Sequence, residues 1–440
     1  MRASYFLYAG ATALAVVATV GLSTSTTQAV PPQKPKVPVL QVDPSWPKAL
    51  PVAGDFGTPP AISTATGKPK PWVTGEVAGT CVDSQDNVFT VNRGNLISPE
   101  TVEAVPSPTV IEYNPAGDVV AAWNVQAKDA TGTLVPVNQA QIHGCFVDYQ
   151  DNIWIAGNGE GVVVKYSHDG STWLNQIGVY GPGGTSCDNP PANLCGNSGS
   201  NPAANQSTTL LNEPANVWVD PGVDPQSGQH GAVYVADGYG NHRVVVFQDN
   251  GNGTVTYLRQ WGGVAGTVDD PLTDYTTSFA AGDGGHPHCV VGGNDGYLYV
   301  CDRADDRIQV FTKTGDLVRI IPVVPGTGQT LGIGGAAGLG TAGSAWDLRF
   351  TNDPTQSYMF EIDGGNEIMH TMDRMLGSIV SDLGRPGHAA GEFTFLHSNT
   401  VDSKGNVYTG ETINGRRIQK FVHVECNNGN GKGNGNGNCS

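Results

Sequence analysis

The chain has 440 residues, 60 of them glycine, and only 14% are charged. A formal charge of −17 excludes nucleic acid as a partner, because binding it requires neutralising phosphates with Lys and Arg. Acidity otherwise speaks only to solubility, while the glycine content and recurring turn dipeptides point to many short strands rather than helices.

In chain order, the first predicted element spans residues 1–29. Arg2, an apolar stretch from Tyr5 to Leu22 and the small-residue end Thr27-Gln28-Ala29 have the three-part grammar of a secretory signal peptide. A membrane anchor is the competing reading, since the run is nearly long enough to span. Cleavage after Ala29 implies a secreted or periplasmic protein with no membrane contact once processed. Residues 30–71 form an N-terminal segment whose β-prone stretch Val37 to Val42 is expected to close a ring by adding an outer strand to the last repeat. Pro38, which lacks a donor, is tolerated on such an edge.

Residues 72–424 carry the repeat. In the segments starting at Ala78, His143, His288 and His397, Asp or Gly recurs five and eight positions on (Asp83 and Asp86, Asp148 and Asp151, Gly293 and Gly296, Asp402 and Gly405). An aromatic follows at eleven: Phe89, Trp154, Tyr299 and Tyr408. The unit is an apolar strand, a turn of Asp, Asn and Gly, and a second alternating strand, continued by a third and a fourth. Four strands at a period of about 40 residues predict a propeller blade, which buries its faces only against its neighbours. With two less regular units, six blades are predicted near 76–124, 142–178, 212–263, 285–323, 343–384 and 392–424. The fold class is therefore all-β, a six-bladed β-propeller. Insertions at 183–210 and 264–284 read as long loops on one face, and 425–440 as a Gly/Asn low-complexity tail.

Eight cysteines in an exported chain suggest disulfides of open connectivity. Cys289 and Cys301 flank a predicted hairpin and can face one another across it, and Cys187 with Cys195 would close a surface loop. No C-x-x-C pair is present, which disfavours a cysteine metal site.

Three histidines share one phase of the repeat: His143, His288 and His397, each at the start of a strand lining the central channel in blades two, four and six. Alternate blades of a six-fold ring lie about 120° apart, so the three side chains should converge on the axis. Three imidazoles with an open fourth position suit catalytic zinc. One such histidine alone would more simply bond a neighbouring backbone. The first and third blades have Ala78 and Ala215 at this phase, while the fifth is too irregular to place. On the same face lie Ala236-Asp237-Gly238-Tyr239-Gly240-Asn241-His242-Arg243 and Val91-Asn92-Arg93-Gly94. Turn and ladder roles suffice for Asp237, Gly238, Asn241 and Arg243. A tyrosine beside an arginine at a metal centre has the sharper reading of a base, because cation and metal both favour the phenolate.

The run Asp302 to Phe311 resembles an NHL repeat. The order Val-Asn-Arg-Gly, His-Gly-x-x-Val-Asp, Ala-Asp-Gly-Tyr-x-Asn-x-Arg, Pro-His-Cys with Cys-Asp-Arg, and a last His before a strand is similar to that of the peptidyl-α-hydroxyglycine α-amidating lyase family. The resemblance spans roughly residues 72 to 422. It implies a propeller with zinc on His143, His288 and His397, a catalytic Tyr239, a substrate-site Arg93 and a further arginine, Arg303, near the site. The implied reaction cleaves the N–Cα bond of a small molecule or peptide ending in α-hydroxyglycine, giving an amide and glyoxylate, with Arg93 holding the phenolate or the carboxylate. Ser398 stands where the family has the Asp that helps hold a structural calcium, so calcium is doubtful. Gly240 replaces a family cysteine, so that disulfide is absent. No domain that would make the substrate accompanies these motifs.

Two rivals remain. One is a non-catalytic NHL propeller that binds a protein or glycan through its loops, since fold alone does not decide function. The other is a metal-dependent lactonase or related hydrolase, whose carboxylate and Asn ligands this channel replaces with imidazole. Oligomeric state is open.

Overall fold

The structure, a computed structural model, describes residues 34–181, 207–262, 279, 287–327 and 343–424. Along them run six four-stranded antiparallel sheets, in the order the repeat predicts. Blade two shows the pattern: Ile142–Val147, Ile153–Gly157, Val162–Tyr166 and Trp173–Ile177 pair in sequence from the axis outward. The innermost strands of the other blades are Val77–Val82, Asn216–Val223, Cys289–Gly292, Ala345–Phe350 and Leu396–Val401.

Turn chemistry explains the recurring letters. Asp83, Asp148 and Asp402 each accept two backbone N–H groups of their own hairpin turn, closing it as an Asx turn does. Three residues later the chain is left-handed, with φ of 66° at Asp86, 58° at Asp151, 84° at Gly296 and 80° at Gly405, which accounts for the restriction to Asp or Gly. The aspartates do a second job that glycine does not. Asp151 accepts the backbone and hydroxyl of Ser84 in blade one, and Asp86 accepts those of Ser403 in blade six. These carboxylates tie one blade's turn to the next.

Strand alternation splits each blade's apolar residues between its two neighbours. Ile153 and Ile155 face blade one, while Trp154 and Ala156 face blade three. Six buried clusters result, one at each junction between consecutive blades. The ring closes as expected: Val39–Asp43 pairs antiparallel with Ile418–Val424, from Val39 opposite Val424 to Asp43 opposite Lys420. Trp46 then packs on Tyr113 of blade one and Tyr408 of blade six, at centroid distances of 5.4 and 4.8 Å.

Two small pairings were not anticipated: Trp72–Val73 lies parallel to Val105–Pro106, and Gln126–Lys128 forms a hairpin with Leu134–Pro136. Cys289 is disulfide-bonded to Cys301 directly across the hairpin of blade four. A second disulfide, Cys81 to Cys145, joins the inner strands of blades one and two. Among the described residues, no helix is long and apolar enough to cross a membrane. The signal segment, most of both insertions, the tail, and Cys187, Cys195, Cys426 and Cys439 lie outside the described residues.

Candidate metal centre

The inner strands begin irregularly, and the irregularity builds the site. Pairing slips between Ile142 and Cys145, between Leu396 and Ser398, between Val77 and Gly79, and between Ala345 and Asp347. A bulge of this kind re-aims one side chain without ending the strand. His143 and His397 sit at such slips, and His288 immediately precedes its strand. Ala78 and Trp346 hold the corresponding places in blades one and five, which locates the fifth blade's member of the series. Close approach of the inner strands demands glycine beside His143, since a Cβ on Gly144 would come within 2.7 Å of the Ala215 carbonyl oxygen.

The three imidazoles converge on the axis, with ring centroids 4.7, 4.9 and 5.0 Å apart. Each offers one ligand nitrogen, and these lie within 4.8 Å of one another. Every ring is held by the blade that follows it. His143 Nδ1 lies 2.7 Å from the Ala215 oxygen, His288 Nδ1 2.6 Å from that of Trp346, and His397 Nδ1 2.8 Å from that of Ala78. A carbonyl only accepts, so each Nδ1 carries the proton and each Nε2 lone pair is free to face the axis. Desolvation, followed by the charge of Arg93, pushes His143 down to about 3. Burial, with Arg303 and the neighbouring rings, holds His288 and His397 well below the usual imidazole value. All three are neutral, the ligand form.

Tyr239 completes the ring of contacts. Its Oη lies 3.1 Å from the Nε2 of both His143 and His288, and Arg303 Nη1 donates to it at 3.2 Å. Two lone pairs therefore face a single hydroxyl proton, and the third, of His397, converges beside them. A cation satisfies such an excess of donor electrons, and carbonyl-anchored imidazoles are the usual support of a metal site. The donor set thus fits a nitrogen-preferring ion.

The loop bearing Tyr239 is held as its bland reading suggests. Asp237 accepts from the Asn212 backbone, Asn241 and Arg243, and Gly238 lets the loop press on Pro287, whose oxygen a Cβ would meet at 1.9 Å. Arg303 is buried, stacks on the Trp346 ring at 4.5 Å and keeps an Nε without a hydrogen bond among the described residues. Arg93 lies beside His143, against the residue that precedes it. Its Nη1 pairs with Glu76 at 2.6 Å and its Nε donates to the Ile142 oxygen, so the guanidinium at the phenol is that of Arg303. Sequence reasoning passed over Glu76 and Trp346; only the repeat phase of Trp346 signalled a role.

No family model matches the chain. It is similar to NHL repeat-containing protein 3 of Mus musculus, 25% identical over 373 residues covering 80% of each chain, and to the Homo sapiens protein of the same name, 25% identical over 371 residues with the same coverage. Among solved structures, one described as a streptogramin B lyase aligns at 12% identity with a TM-score of 0.45, covering 80% of this chain and 94% of the other.

Proposed function

We propose that this propeller is an exported zinc-dependent lyase of the amidating type, cleaving an N–Cα bond to yield an amide and glyoxylate. One observation carries the reading: three neutral imidazole lone pairs meet on the axis against a tyrosine hydroxyl that an arginine already engages. Zinc bound by His143, His288 and His397 would act as a Lewis acid toward the substrate hydroxyl. Tyr239, acting as the phenolate, would take the proton of that hydroxyl. The O–H electron pair then forms the carbonyl of glyoxylate as the N–Cα bond breaks, and the departing amide nitrogen takes back the proton that Tyr239 removed. Arg303 steadies the charge on the phenol oxygen by its hydrogen bond, and its spare Nε is a donor for the substrate carboxylate. Arg93, tied to Glu76, orders the rim beside His143. Calcium has no part in this reading. Position 398 is serine, and the nearby carboxylate of Asp347 is engaged by Arg349 and two backbone N–H groups, which supports a channel poor in free oxygen ligands.

Purified protein should contain zinc in stoichiometric amount and release glyoxylate from an α-hydroxyhippurate-like substrate. His143→Ala and His288→Ala should each lose the channel equivalent of zinc together with turnover. Full metal and full turnover in those variants would refute the assignment. A non-catalytic propeller that binds a protein or glycan is the second reading, favoured by Ser398 and by the pairing of Arg93 with Glu76. Elemental analysis of the native chain against the His143→Ala and His288→Ala variants separates the two, because a scaffold needs no channel metal and would lose none.

A further inference from the structure

A second cluster of ligand atoms lies away from the channel, where blades one and two meet. On the third strand of several blades, one residue stands opposite the repeat's aromatic. It is Lys165 opposite Trp154 in blade two, Lys420 opposite Tyr408 in blade six and Glu112 opposite Phe89 in blade one. The lysines carry their charge to the aromatic ring, with Nζ 5.2 Å from Trp154 and 5.4 Å from Tyr408. In blade two that ammonium also bridges two carboxylates, 3.1 Å from Asp148 of its own turn and 2.8 Å from Asp249 of blade three. In blade two a buried cation thus occupies this phase.

Blade one reverses the sign. Glu112 is an anion in place of the lysine, and Asp83, the counterpart of Asp148, is fully buried beside it. The cationic position is taken from the other side by His168, on the turn after the third strand of blade two, whose ring meets Phe89 edge-on at 5.5 Å. Its Nε2 lies 2.7 Å from Asp83 Oδ2 but 3.9 Å from Glu112 Oε1. An ammonium has three donors and reaches both carboxylates, whereas one ring nitrogen reaches one. The side chain of Glu112, 5% exposed, consequently has no hydrogen-bond partner among the described residues.

We propose that Asp83, Glu112 and His168 form a second metal site, holding a divalent transition-metal ion where blade two uses a lysine. Their ligand atoms lie within 4.8 Å of one another, and two carboxylates with one imidazole suit zinc, manganese or ferrous iron rather than a soft ion. His168, 31% exposed, leaves the ion an approach from solvent. The ion reaches all three groups at once and clamps blade one to blade two. The site shares no residue with the channel triad.

The test uses the full chain carrying His143→Ala and His288→Ala, stripped with chelator and titrated with Zn²⁺ by calorimetry and with Co²⁺ by absorption. Binding of about one equivalent, with a raised melting temperature, is expected. His168→Ala should abolish it. Glu112→Lys, which rebuilds the blade-two arrangement, should abolish binding while remaining folded without metal. Should the double-alanine chain not fold, the same two substitutions in the otherwise unaltered protein should each remove one zinc equivalent by elemental analysis, leaving the channel equivalent in place. Zinc uptake and cobalt spectra unchanged by Glu112→Lys and His168→Ala overturn the proposal, as does a stripped chain that binds no second ion; neither result bears on the channel.

Discussion

Tyr239 has one proton to share between two imidazole nitrogens 3.1 Å away, and Arg303 already donates to its oxygen. This crowding makes Tyr239 the residue whose removal best separates binding from chemistry. Tyr239→Phe keeps the ring and loses only the hydroxyl. Zinc content is expected to stay at the native value while turnover falls about 10²–10⁴-fold, the range for loss of a positioned acid or base. A variant with undiminished turnover would remove Tyr239 from the chemistry. At this scale the histidines were legible, because three of them recur at one offset from the same Asp-containing turn. The partner of the phenol was not: Arg93 and Arg303 both sit near strand ends on the same face, and side-chain direction alone distinguishes them. Glu76, which occupies Arg93, lies outside any repeat signature.

Single strands and turns explain why those side chains point where they do. Bulges at the inner-strand starts re-aim His143 and His397, and the carbonyl of the next blade fixes each ring. Blade five shows how an outer strand pair can depend on a proton. His370, on Ile368–Asp373, stands opposite Asp382 of Ile379–Leu383, with Nδ1 2.6 Å from its carboxylate and Nε2 3.3 Å from Asp363. Burial alone would lower its pKa, but the hydrogen bonds to Asp363 and Asp382 outweigh burial and raise it. The folded chain therefore holds a proton that the unfolded chain releases above about pH 6.5. This stabilisation is complete below that pH and is lost as the pH rises through the elevated folded value. Melting curves of His370→Gln against the native chain should differ by about 1–2 °C or more near pH 6 and converge in mildly alkaline buffer. A gap constant with pH would mean the imidazole acts by packing alone.

For the molecule as a whole, stability rests on neighbours meeting around a ring. Each junction buries one apolar cluster, the N-terminal strand completes blade six, and the Cys81–Cys145 disulfide fastens blades one and two near the axis across a separation of 64 residues. Cross-linking of this kind contributes about 2–4 kcal/mol. The double variant Cys81→Ser, Cys145→Ser should lose about that much in denaturant midpoints multiplied by the slope, with the Cys289–Cys301 hairpin unaffected. A loss confined to a few tenths would show that packing alone holds the first junction. No spacing rule pointed to this bridge, because eight cysteines leave 105 pairings open and these two belong to different blades.

Read in one dimension, the chain determined its own repeat. Alternating apolar strands, the Asp at the turn and the Asp or Gly three residues later are local requirements of backbone conformation, so they are written at each blade in turn. The count of blades, the ring-closing strand and the shared phase of His143, His288 and His397 follow from that periodicity. What only tertiary structure decided is which side chains from different blades touch: the carbonyls that set the histidine tautomers, Arg303 on Tyr239, Cys81 on Cys145, and His168 between Asp83 and Glu112. These contacts depend on a few ångströms of rotation and stagger between neighbouring sheets, a quantity that no local pattern of residues encodes.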